Sequence, residues 1–77
     1  MSWNYRIMHR NFKNEFMEEE TWAIYEVYYN KNGEPERWTE EAVAVLGESL
    51  EELKADLILQ MKAFDRPVLE YDTGEEV

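Results

Sequence analysis

The chain has 77 residues, no cysteine, one histidine and a formal charge of −10, from 18 acidic and 8 basic side chains. A chain of this length makes one small domain, and without thiols it has no disulfides, zinc fingers, iron–sulfur clusters or cysteine nucleophile. Its acidity works against direct nucleic-acid binding, which rests on clustered Lys and Arg, while 44% hydrophobic and 14% aromatic residues indicate a folded protein.

Residues 2–10 alternate as a strand, with Trp3, Tyr5, Ile7 and His9 on one face and Asn4, Arg6, Met8 and Arg10 on the other. Residues 11–20, NFKNEFMEEE, show no period and read as a connection. Bulky and β-branched side chains predict a second strand over 21–30. Asn32-Gly33 with the following Pro35 marks a reversal, and 36–40 returns as a third, shorter strand. AVAVL at 42–46 fits either an extension of that strand or a turn of helix.

Ser49 with Glu52 forms a capping box, and Leu50, Leu53, Leu57, Met61 and Phe64 recur at helical spacing. The helix should end near Asp65, because Pro67 drives Arg66 out of helical geometry. VLEY at 68–71 is a short final strand, and 72–77 a frayed acidic tail outside a 1–71 domain. The expected fold is α+β, in the order β-β-β-α-β. An antiparallel meander carries one helix on one sheet face, and the last strand runs parallel to the first in a 3-2-1-4 sheet.

Charge sorts the faces. Because a lone buried charge is costly, Glu26 should share a face with Arg6 or Arg10, pointing away from the helix. Tyr25 and Val27 would then pack under the helix with Trp3, Tyr5 and Ile7. Met8, Trp22, Ile24 and Tyr28, joined by Trp38 and rimmed by Arg6 and Glu26, would form an aromatic patch on the uncovered face. Trp, Tyr and Arg in such a patch are typical of protein interfaces. The alternative is coverage by the chain itself, through the tail or through Phe12, Phe16 and Met17.

No chemistry competes with that reading. His9 is expected to be structural at a strand end, with no Ser or Cys nucleophile in a recognisable motif. Gly33, Gly47 and Gly74 are isolated, so no phosphate-binding loop forms, and no acidic run has calcium-loop spacing. Catalytic residues, cofactors and metals are therefore not expected. Nor is a membrane span or a signal peptide, which implies a cytoplasmic protein.

The segments WNYRI (3–7), IYEVYYNKNG (24–33), WTEEAVAVLGESLEEL (38–53) and RPVLEY (66–71) resemble a family of small bacterial proteins of unknown function. The resemblance spans most of the chain outside 11–20. It implies a compact domain in a bacterial or phage setting and carries no activity. The expected function is a non-catalytic interaction module that binds a protein partner, or a second copy, through the patch. The other reading is an acidic inhibitor that mimics nucleic acid, offering Glu48, Glu51, Glu52 and Asp56 to a basic target.

Overall fold

Residues 2–77 are described by a computed structural model. Two long strands dominate it, β1 (Ser2–Lys13) and β2 (Glu18–Tyr29), paired antiparallel along their whole length. Between them lies a turn at 14–17, organised by one side chain. Asn14 Oδ1 accepts from the N–H groups of Phe16 and Met17 at 2.8 and 2.9 Å, and the Asn14 N–H donates to the Met17 carbonyl. Most of the expected connection over 11–20 is therefore strand. At its ends Lys13 lies opposite Glu18.

At the other end of β2, Asn30 Oδ1 accepts from the N–H groups of Asn32 and Glu34, and Gly33 takes a φ of +80°. This reversal leads into β3 (Pro35–Trp38), antiparallel to β2, while β4 (Leu69–Glu70) lies parallel to β1. The sheet is mixed, in the expected order β3-β2-β1-β4. Residues 42–46 are neither strand nor helix, although the Val43 N–H still bonds the Ile24 carbonyl at the edge of β2.

The register differs from the expectation by one residue. Tyr5 lies opposite Glu26 and Arg6 opposite Tyr25, so Arg6, Met8 and Arg10 share a face with Tyr25 and Val27. Glu26 points the other way, beside Tyr5, and forms no pair with Arg6 or Arg10. A one-residue shift flips every side chain of a strand, and here the Asn14 turn, not charge matching, sets the alignment.

The core lies on the Met8 face. Met8, Tyr25, Val27 and Leu69 are buried together, with Ala23, Tyr29, Trp38 and Tyr71 packed around them. Its cover is the C-terminal segment. The expected frayed tail folds back: Glu70 N–H donates to Glu75 O, Gly74 N–H to Glu70 O, and Val77 N–H to Val68 O. Gly74 is buried at a φ of +76°, so close to the Trp38 ring that a Cβ there would come within 2.7 Å of it.

Helix α1 (Leu50–Met61), continued by a 3-10 turn at Lys62–Asp65, lies on the opposite side. Leu59 and Lys62 border a groove there with Trp3 and Tyr5. Ser49 caps α1 as expected, accepting from the Glu52 N–H, but Glu52 returns its carboxylate to the Glu48 N–H. The helix is anchored by polar bonds to the 44–46 segment. Gln60 Nε2 donates to Ala44 O and Asp56 Oδ2, and the Leu46 N–H donates to the same carboxylate oxygen. Gln60 is the one residue of α1 that is buried. The inward line runs through Asp56, Gln60 and Ala63, about a quarter turn from the leucine stripe expected to face the sheet.

Coverage of the core by the tail makes Gly74 a structural residue. Gly74→Ala should lower stability to denaturant by about 1–3 kcal/mol, from strain and the clash with Trp38. Gly33→Ala, in open space, should cost about 1 kcal/mol from its positive φ alone. Equal effects in urea titrations would contradict a tail packed on the sheet.

Candidate functional site

Of the seven residues expected to form the patch, four remain together. Trp22, Ile24, Glu26 and Tyr28 alternate along one face of β2, opposite His9, Ile7, Tyr5 and Trp3. Trp22 is 59% exposed. The other three belong to the opposite face. Met8 is buried in the core, Trp38 packs beneath Gly74 and beside Tyr71, and Arg6 is buried, donating to Tyr29 Oη and the Pro67 carbonyl.

The surviving face is aromatic with local polar partners. Tyr28 Oη donates to Glu26 Oε1 at 3.1 Å, and the Arg37 guanidinium sits 5.3 Å from the Tyr28 ring centre. Desolvation, then the Glu26 hydrogen bond, pushes the Tyr28 phenol above its ordinary pKa. Tyr5 is raised too, first by burial and then by the negative charges of Asp56 and Glu26. Trp3 meets Tyr5 edge to face at 5.2 Å.

At the far end of this face, three strands converge on His9. Its Nδ1 lies 2.8 Å from Glu70 Oε2 and its Nε2 2.7 Å from Glu20 Oε1, with the Trp22 ring 5.0 Å away. Glu70 comes from β4 and Glu20 from β2, so the imidazole ties both neighbours to β1. Two carboxylates favour the imidazolium: hydrogen bonds to Glu70 and then Glu20 raise its pKa, against a smaller opposing effect of desolvation. Both ring nitrogens are engaged by carboxylates, so the ring acts here as a tie between strands. Among the described residues, no group of three or more His, Asp or Glu is arranged to hold a metal ion.

The larger exposed apolar surface is one that the periodicity of the sequence had assigned to the core. Leu50 is 84% exposed, Leu57 47%, Met61 55% and Phe64 69%, and Ile58 is exposed beside them. The cause is the rotation of α1 about Gln60 and Asp56. The signal was present in the sequence as the leucine stripe; only its direction was misassigned.

No helix among the described residues is long and apolar enough to cross a membrane. No family model, curated protein or solved structure matches the chain.

The His9 clamp has a defined pH signature. Its folded pKa lies above the ordinary 6.5, so its stabilisation is complete below about pH 6.5 and fades as pH rises through the raised value. An NMR titration of the His9 ring should give a midpoint above 6.5. Glu70→Gln should lower that midpoint more than Glu20→Gln, since Glu70 is the stronger and less exposed partner. A midpoint at or below 6.5 in the parent would rule the clamp out.

Proposed function

We propose that the protein is a non-catalytic interaction module whose contact surface is the apolar flank of α1, and whose simplest partner is a second copy. The observation that carries this reading is the exposure of Leu50, Leu57, Ile58, Met61 and Phe64 along one side of a single helix. Area supports it. The chain exposes 6051 Å², against about 5,000 Å² for a compact monomer of 9.3 kDa. The excess of about 1,000 Å² resembles what each partner buries in a standard interface, about 800 Å². The radius of gyration, 13.8 Å, likewise exceeds the roughly 11.5 Å of a compact domain of this length.

The order of side chains favours self-pairing. If two copies of α1 and its 3-10 continuation cross antiparallel at Leu57, Leu50 meets Phe64 and Leu53 meets Met61. A twofold axis makes each contact occur twice. The acidic-mimic reading has less behind it. Asp56 and Glu52, two of its four carboxylates, are turned to bonds within the chain.

Sedimentation equilibrium at micromolar concentration should give twice the chain mass of 9.3 kDa. Leu57→Asp, which sets two carboxylates against each other on the axis, should return the monomer without unfolding it, because Leu57 is not in the core. A parent chain that stays monomeric at high micromolar concentration would overturn self-association.

A further inference from the structure

Arg6 is 6% exposed, and its guanidinium has no carboxylate partner among the described residues, although the chain carries 18 acids. Its terminal nitrogens donate to Tyr29 Oη at 2.8 Å and the Pro67 carbonyl at 2.7 Å, both neutral acceptors. Its Nε is buried with no hydrogen-bond partner. Arginine does not shed its proton to escape burial, so the positive charge stays in place. A buried charge without a counter-charge is among the more costly features a small domain can keep.

The surroundings show where a counter-charge can enter. Arg6 lines a cleft of about 440 Å³ with Ser2, Trp3, Asn4, Tyr29, Gly33 and Arg66. Its charged lining residues are two arginines and no acid, in a molecule of net charge −10, while Glu34, Glu75 and Glu76 line an adjoining cleft that shares Arg6. It opens where β1 has no strand beside it, because β4 pairs only with Met8 and His9. Ser2 and Asn4 add neutral hydrogen-bonding groups.

We infer that this cleft binds an oxyanion, a carboxylate or phosphate group, held between the Arg6 and Arg66 guanidinium groups. The planar fork of a guanidinium matches the two oxygens of either group. The volume admits a small organic molecule bearing the anion, with Tyr29 at its wall. The site lies on the β1 edge and uses none of the α1 flank residues, so it is independent of self-association.

The test reads the Nε–H resonance of Arg6 in a ¹H–¹⁵N spectrum while inorganic phosphate or acetate is added at constant ionic strength. A saturable shift with either anion, beyond a sodium chloride control, is the expected result. The more effective anion identifies the head group. Arg66→Ala, at an exposed position, should keep the fold and weaken binding about tenfold, the loss of one charge-assisted contact. Arg6→Met should match or exceed the parent in stability without anion, and lose the thermal stabilisation that the anion gives the parent. No saturable shift with either anion, or unchanged binding in Arg66→Ala, would overturn the site.

Discussion

The alignment of β1 with β2 is the constraint on which every other feature depends, and it is set by the carboxamide of Asn14. By accepting from two successive backbone N–H groups, that side chain closes the turn so that Lys13 meets Glu18 and the ladder continues to Ser2 and Tyr29. Side chains alternate along a strand, so this decides both faces at once. Met8 joins Tyr25, Val27 and Leu69 in a core; His9 comes within reach of Glu20; Arg6 is left bonded to Tyr29 with no carboxylate paired to it among the described residues.

Once the faces are settled, the two covers of the sheet follow different rules. The tail covers the Met8 face through backbone bonds and one glycine, since only a residue without Cβ can lie against Trp38 at that φ. The helix docks through Gln60 and Asp56. A buried amide must be satisfied, and Ala44 O and Asp56 Oδ2 satisfy it only when Gln60 points inward. That rotation turns the leucine flank outward, leaving unrealised about 1.5–3 kcal/mol for each large side chain that full burial would have contributed. A small domain with this much burial forgone gains stability when a partner covers the flank.

Local chemistry was legible in the sequence, and relations between distant segments were not. The Ser49 cap, the Asn30–Gly33 reversal, the strand order and the parallel last strand all follow from turn residues, period and chain connectivity. Register did not, because residues 11–20 lack a hydrophobic period and charge matching was the only guide left. That guide failed at Glu26, whose partner is the Tyr28 hydroxyl and not an arginine. The same gap split the expected patch, holding Trp22, Ile24, Glu26 and Tyr28 together and sending Arg6, Met8 and Trp38 to the other face. The Glu20–His9–Glu70 clamp joins residues up to 61 positions apart, so it becomes visible only when register is known. Leucine periodicity found the helix but could not show that a glutamine would outrank five apolar residues in choosing its inner side.

The chain treats His9 and Arg6 in opposite ways, and the contrast bears on how an anion could approach so acidic a molecule. His9 is given two carboxylates, which hold β2 and β4 to β1. Arg6 is given a relay of neutral groups: it donates to Tyr29, and Tyr29 donates to Asn4 at 2.7 Å. A carboxylate in place of Tyr29 would have cancelled the charge inside the fold; the relay spreads it without cancelling it. At physiological ionic strength screening acts over about 8 Å, so acids farther than that contribute little at the cleft. What an arriving oxyanion meets there is the field of Arg6 and Arg66, offset in part by Glu34, Glu75 and Glu76 of the adjoining cleft, and the net charge of −10 sets how often it arrives.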